Sequence, residues 1–353
     1  MVDSATRKKW MARRLRAAGL LACGFILTGC DDPQREAELR WREEEVNAKE
    51  VDVVRREREV QKQLQAMESL KIELTAGQAR VKQQQKELDA EVAKMRAARI
   101  AFETKELRGP APKISAERAI VIDAETGQVL FEKEADKEGP IASTQKLLTA
   151  LLVVEAGSLD SVVTVEKSDT ECAPVRLGIQ PGEQYTRRKL LTALLVKSSN
   201  DIAQALARDV AGSVEAFVQR MNTKAAELGL ENSHFVNPHG LPDETPQFST
   251  ARNLSVIAAL VDRVPDIREM VKTRVFQFER EGKSTLTLEN TNRVLRTCGY
   301  CDGMKTGYTD ASGYCLVASG EKDGRRRIVV VLNDTRSKVW DDAEDLLIWA
   351  LKA

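Results

Sequence analysis

The sequence predicts an α/β fold: a mainly antiparallel sheet flanked by helices, with a helical subdomain, preceded by a long α-helical coiled-coil stalk. Three observations carry that expectation. Ten apolar residues recur at every seventh position from Leu39 to Phe102, the spacing of helices wound about one another. Strand-like apolar runs stand at both ends of residues 113–353, with helical patterns between them, as in one sheet built from the two ends of a domain around a helical insertion. Between these regions Gly109-Pro110-Ala111-Pro112 stops any helix, since proline lacks the donor and glycine the conformational restraint.

The first thirty residues read as an export signal. Arg7, Lys8, Lys9, Arg13, Arg14 and Arg16 make a basic segment, and an apolar run follows from Ala17 to Thr28. That run falls short of the roughly 20 residues a spanning helix needs but suits a secretory signal. Leu27-Thr28-Gly29-Cys30 resembles the lipobox of bacterial lipoproteins, which implies acylation of Cys30. Asp31 behind it implies retention on the periplasmic face of the inner membrane. An ordinary signal peptide or short N-terminal anchor is the plainer alternative.

Residues 34–108 read as one helix. Leu39, Val46, Val53, Val60, Met67, Leu74, Val81, Leu88, Met95 and Phe102 form the apolar column, but the second seam is poor. Three residues on from the first members come Arg42, Lys49 and Arg56, and four on come Glu43, Glu50 and Glu57; only the stretch around Leu64, Leu70 and Leu74 looks adhesive. A solvated single helix held by charge pairs is the rival reading. Charge pairing does not require a strict apolar column, so a weak coiled coil with concentration-dependent homodimerisation is expected. About 75 residues at 1.5 Å each would reach on the order of 110 Å.

Beyond the linker, residues 118–123 and 128–133 read as a hairpin around Ala124-Glu125-Thr126-Gly127. Helical patterns follow near 143–156, 187–197, 200–211, 213–229 and 250–263. Strand patterns return near 304–309, 313–320 and 326–333, and a last amphipathic helix starts near Lys338.

The composition excludes some functions. Lys plus Arg and Asp plus Glu both number 54 in 353 residues, for a formal net charge of zero, which argues against nucleic-acid binding. His234 and His239 are the only histidines, which disfavours a histidine-rich metal site or a Ser-His-Asp triad.

Three short motifs carry chemistry. In Ser143-Thr144-Gln145-Lys146 the lysine stands one turn along the same helix face as the serine. A lysine whose charge is suppressed by burial and nearby cations can take the proton of a serine nucleophile. Alone the tetrad is common, and a helix-capping serine beside a solvated lysine is the stronger explanation of it. Ser198-Ser199-Asn200 lies between two helical patterns; in a loop, residues two apart can project a hydroxyl and an amide to one side, and alone it is only a helix cap. Lys305-Thr306-Gly307 in a strand-like run offers an ammonium, a hydroxyl and close backbone access to an extended peptide.

The order Ser-x-x-Lys, Ser-x-Asn, Lys-Thr-Gly resembles the motif set of penicillin-binding proteins and serine β-lactamases. Residues 115–353 resemble the low-molecular-mass D-alanyl-D-alanine carboxypeptidases among them, also through 119–127, Leu228-Gly229-Leu230, 235–241, 248–251 and 313–316. The resemblance implies the serine β-lactamase/DD-peptidase fold and hydrolysis of the terminal D-Ala of peptidoglycan stem peptides, without metal or cofactor. It implies Ser143 as the acylated nucleophile, Lys146 as its activator, Ser198 as proton relay and Asn200 as holder of the substrate amide. Lys305 and Thr306, beside Gly307, would bind the terminal carboxylate, and the backbone N–H groups of Ser143 and Tyr308 would form the oxyanion hole. β-Lactam antibiotics would be covalent inhibitors. A D,D-endopeptidase or β-lactamase on the same fold, and a coiled-coil cell-wall scaffold with a weakly active domain, are the alternatives.

The chain departs from the family at Gln145, where threonine is common, around Pro246-Gln247-Phe248, and at Asn253 in place of a frequent aspartate. The family's common C-terminal β-domain and amphipathic tail are not expected here. The expected division is 1–29 signal, 30–108 anchored stalk, 109–114 linker and 115–353 catalytic domain. Cys298-Gly299-Tyr300-Cys301 has the spacing of a redox or metal knuckle, but lacks a second such pair for zinc and a thioredoxin-like context. A local disulfide and free thiols remain equal readings. Cys315 is expected in the core, and the two histidines are expected to pack in the Asn-Pro-His-Gly turn.

Overall fold

The computed structural model describes residues 33–104, 108–172 and 174–352. The expected signal and Cys30 lie outside the described residues, and the expected stalk boundary adjoins residues 105–107, which also lie outside them. The chain forms two compact units, divided after Lys86.

Helix α1 (Pro33–Thr104) is a single 72-residue helix. Its heptad column faces solvent in the single chain: Leu39, Val46, Val53, Val60, Met67, Leu74, Val81 and Leu88 are all exposed. The basic residues of the poor seam pair backward along their own helix, Arg42 with Glu38 at 3.3 Å and Arg56 with Asp52 at 2.8 Å. Such exposed pairs contribute only about 0.3–0.5 kcal/mol each.

In the second unit, β1 (Arg118–Asp123) and β2 (Val129–Lys133) form the expected hairpin. A 3₁₀ turn (Ala142–Gln145) leads into α2 (Lys146–Glu155). A small hairpin of β3 (Val162–Thr164) and β4 (Gln184–Thr186) precedes α3 (Arg187–Lys197), α4 (Asn200–Ala211) and α5 (Val214–Glu227). Then come α6 (Ala251–Asp262), α7 (Pro265–Lys272) and a second hairpin, β5 (Val275–Arg280) with β6 (Lys283–Glu289). The short α8 (Val294–Thr297) leads into β7 (Cys301–Thr309), β8 (Gly313–Lys322), β9 (Arg325–Asp334) and α9 (Val339–Leu351).

The central sheet runs β2-β1-β9-β8-β7, with every neighbouring pair antiparallel. Its middle strands are apolar on both faces. On β9, Ile328, Val330 and Leu332 enter the core that the inserted helices share, whereas Val329 and Val331 enter a second core beneath α9. This two-sided burial explains why Ile328-Val329-Val330-Val331-Leu332 is an unbroken apolar run rather than an alternating one.

Buried charges tie the helices to the sheet. Arg326 on β9 holds Asp262, the last residue of α6, through Nε and Nη2 at 2.5 and 2.6 Å, and reaches Asp302 on β7 at 2.7 Å. Arg327 pairs with Asp123 and donates to the carbonyl of Ala350 at 3.1 Å, joining β9, β1 and α9. The edge strand β7 is thereby fixed from behind, with Lys305, Thr306 and Gly307 in its middle.

Candidate active site

The site lies where the 3₁₀ turn, the α3–α4 junction, the loop around His239 and the edge strand β7 meet. Ser143 is inside the 3₁₀ turn and caps no helix; the turn's N-cap is Ile141. The plain reading of Ser143 as a capping residue is thus replaced, and Lys146 begins α2 one turn later. The geometry brings Lys146 Nζ to 2.7 Å from Ser143 Oγ.

Lys146 is fully buried, and its amine also donates to Asn200 Oδ1 at 2.8 Å and to the carbonyl of His239 at 2.6 Å. None of these is a carboxylate. Burial, and then the nearby charge of Lys305, hold the amine well below its ordinary value of 10.5. Lys305 is likewise buried, donates to the carbonyl of Thr306 at 3.0 Å, and is lowered by burial to about 7. Burying an unpaired ammonium costs several kcal/mol, so such groups shed the proton instead.

The second motif reaches the site differently from expectation. Ser198 ends α3 in the left-handed region, φ 69°, and Asn200 starts α4 immediately afterwards. Asn200 therefore projects from a helix N-terminus rather than from an extended loop. Its amide is fixed at both ends: Oδ1 accepts from Lys146, and Nδ2 donates to the carbonyl of Pro174 at 2.5 Å. Ser198 is nearly buried at the junction, but among the described residues its hydroxyl makes no hydrogen bond to Ser143 or either lysine.

Gly307 is required by close approach. A Cβ built there would stand 2.9 Å from the backbone nitrogen of Ser143 and 3.0 Å from Ala142 Cβ. β7 thus lies against the backbone of Ser143, with Tyr308 one residue on and half-exposed. Thr306 Oγ1 lies 2.7 Å from Thr291 Oγ1.

Several contributors were not singled out from the sequence. Asn237 accepts at its carbonyl from Gln145 Nε2, 2.6 Å, and at Oδ1 from the N–H of Gly240, 2.8 Å. Gly240, with φ 89°, passes so near that a Cβ would meet the carbonyl oxygen of Ala142 at 2.1 Å. Asp201 accepts from the N–H groups of Leu177 and Gly178 at 3.0 and 2.8 Å, securing the segment whose Pro174 holds Asn200. The Asn-Pro-His-Gly turn was visible in sequence, yet it is the carbonyl of His239 that enters the site. Burial above all lowers the His239 imidazole to about 3, and its Nδ1 accepts from the N–H of Leu241 at 3.3 Å.

Known proteins resemble this chain in sequence and in fold. The pattern of the D-alanyl-D-alanine carboxypeptidase family matches residues 105–336. The chain is 34% identical over 228 residues to the D-alanyl-D-alanine carboxypeptidase DacF of Bacillus subtilis, covering 63% of this chain and 58% of that one. It is 36% identical over 256 residues to DacC of Escherichia coli, also named a D-alanyl-D-alanine carboxypeptidase, covering 69% and 62%. It thus spans about three fifths of the length of these relatives. A penicillin-binding protein of Listeria monocytogenes, solved in an ampicillin-bound form, superposes with a TM-score of 0.62 at 31% identity, over 69% of this chain and all of that one. The chain belongs to the D-alanyl-D-alanine carboxypeptidase family.

Proposed function

We propose that the chain is a serine-type D-Ala-D-Ala carboxypeptidase that removes the terminal D-Ala of peptidoglycan stem peptides through an acyl-enzyme on Ser143. The contact between Ser143 and a buried, carboxylate-free Lys146 carries this reading. A neutral amine has two N–H donors and one lone pair. Asn200 Oδ1 and the His239 carbonyl, at 2.8 and 2.6 Å, engage both donors, which leaves the lone pair for the hydroxyl 2.7 Å away.

In the reaction Ser143 Oγ attacks the carbonyl carbon of the penultimate D-Ala while its proton passes to Lys146 Nζ. The backbone N–H groups of Ser143 and Tyr308 receive the developing oxyanion, a task in which losing one donor typically costs about 10²–10³ in rate. Collapse breaks the amide bond, and Ser198 relays the proton to the leaving D-Ala amine. Water then attacks the ester and restores Ser143. Lys305, as an ammonium, and Thr306 hold the substrate's terminal carboxylate. Asn200, with one Nδ2 hydrogen and one lone pair uncommitted, can still meet the substrate amide. β-Lactams acylate the same serine.

Export, cleavage before Cys30 and acylation of that residue would fix the enzyme to the periplasmic face of the inner membrane, with α1 reaching toward the wall. The exposed heptad column supports weak homodimerisation of α1.

The test of the main reading is covalent. Penicillin and a peptide ending in D-Ala-D-Ala should both acylate Ser143, and D-Ala should be released. Ser143→Ala should abolish both, and Lys146→Ala should slow acylation by orders of magnitude while the protein stays folded. Full labelling of Ser143→Ala would refute the assignment.

The two lysines set the pH dependence. Protonated Lys146 cannot accept a proton, so kcat/KM should rise as pH passes through its lowered pKa. Lys305 in the free enzyme loses its charge near pH 7, and that loss should lower kcat/KM. A bound carboxylate stabilises that charge, so kcat should decline at higher pH than kcat/KM. Lys305→Ala should lower kcat/KM about ten- to a hundred-fold, from a charge-assisted contact worth about 1.5–3 kcal/mol, and should lack the falling limb. An unchanged falling limb would show that another group titrates.

For the anchor, mass spectrometry of the mature N-terminus should find a lipid-modified Cys30. Undiminished membrane retention of Cys30→Ala would exclude the lipid as the anchor.

A further inference from the structure

Cys298 and Cys301 form the sequence motif that the reaction on Ser143 leaves unused. Both are free thiols in this structure and are buried, 3% and 7% exposed. They share the apolar cluster beneath α9 with Leu295, Leu346 and Leu347. The N–H of Cys301 donates to the carbonyl of Cys298 at 3.2 Å, closing a four-residue turn. Such a turn holds its end Cα atoms within about 7 Å, and a disulfide bridges about 4.4–6.8 Å. No other described thiol competes for either partner: Cys315 belongs to the core on the opposite face of the sheet, and Cys172 belongs to neither core.

The turn holds the root of β7. The register of β7 against β8 slips between Cys301 and Gly303, so the ladder alone does not fix the first residues of the strand. Instead the carbonyl of Tyr300, inside the turn, accepts from the N–H of Glu321 at 3.1 Å. Lys305 lies four residues beyond Cys301 on this strand.

We propose that Cys298 and Cys301 are an oxidation site, closed to an intramolecular disulfide that pins the start of β7. The two thiols give up two hydrogens, as two protons and two electrons, to a protein or small-molecule disulfide. One S–S bond forms in the chain, one breaks in the oxidant, and the oxidant leaves as two thiols. Burial governs the timing. It pushes the Cys301 thiol up to about 12, so little Cys301 thiolate exists at neutral pH, and the burial of both sulfurs slows exchange in the folded protein. The bond therefore forms while the chain folds, and folding then shields it from reductant.

The test needs one peptide. Arg296 and Lys305 place both cysteines in the tryptic fragment 297–305. The full chain is unfolded with reductant, refolded in reduced and oxidised glutathione, alkylated under denaturing conditions and digested. The proposal expects fragment 297–305 two hydrogens lighter than the dithiol and unalkylated, while Cys172 and Cys315 are alkylated. Dithiothreitol should open the bond at least tenfold faster in urea than in the native protein. The same fragment from protein exported to an oxidising compartment, and trapped with the alkylating agent before lysis, gives a reading independent of refolding in vitro. A doubly alkylated fragment in both preparations, or either cysteine joined to Cys172 or Cys315, overturns the proposal.

Discussion

The amine of Lys146 is buried and, among the described residues, has no carboxylate partner, yet it stands within 2.8 Å of three oxygen atoms. That combination constrains the rest of the site. An ammonium there would be desolvated without a counter-charge, and Lys305, itself buried, adds a second positive group nearby. Both effects favour the neutral amine, whose two hydrogens need two carbonyl-type acceptors at fixed positions. Asn200 and His239 supply them, and both are themselves held in place: Asn200 by Pro174, and the His239 turn by Asn237.

Holding these pieces together requires elements distant in sequence. Ser143 and Lys146 come from the start of the domain, Asn200 from the helical insertion, and β7 from the C-terminal strands. The sheet joins the two ends because β1 pairs with β9 over six residues. Gly240 and Gly307 let two backbone segments close on the 3₁₀ turn at distances no side chain tolerates. The buried pairs of Arg326 and Arg327 lock β7, α6 and α9 onto the sheet. Replacing one partner of such a pair leaves a stranded charge, typically at a cost of about 3–5 kcal/mol.

Much of this was legible in the residues. The apolar runs at both ends of the domain foretold the central sheet, and Arg187–Lys197 and Asn200–Ala211 lie where periodicity placed helices. The strong local signals were those with a period to count. The hairpin of β5 and β6 escaped although Phe276 and Phe278 alternate with polar residues, because its face is only half-buried and the pattern short. Helix α7 escaped although Pro265 opens it, since eight residues give few turns to count. In the site, side-chain chemistry was readable and backbone chemistry was not. Ser143, Lys146 and Lys305 announce themselves by type and spacing. The carbonyls of His239 and Pro174 contribute through position alone, and any residue there would carry the same oxygen. The Ser-x-Asn motif was found, but the left-handed turn at Ser198 that puts Asn200 on a helix was not, since serine seldom adopts that conformation.

The protonation state of Lys146 is the central claim, and it is measurable without turnover. Nuclear magnetic resonance of the full chain with isotope-labelled lysine, assigned through Lys146→Arg, reads the charge of this amine from its ε-carbon shift as pH is varied. The account predicts a Lys146 signal that reaches the neutral-amine position well before the other lysines titrate. A Lys146 signal that stays in the ammonium position until the surface lysines titrate would contradict it.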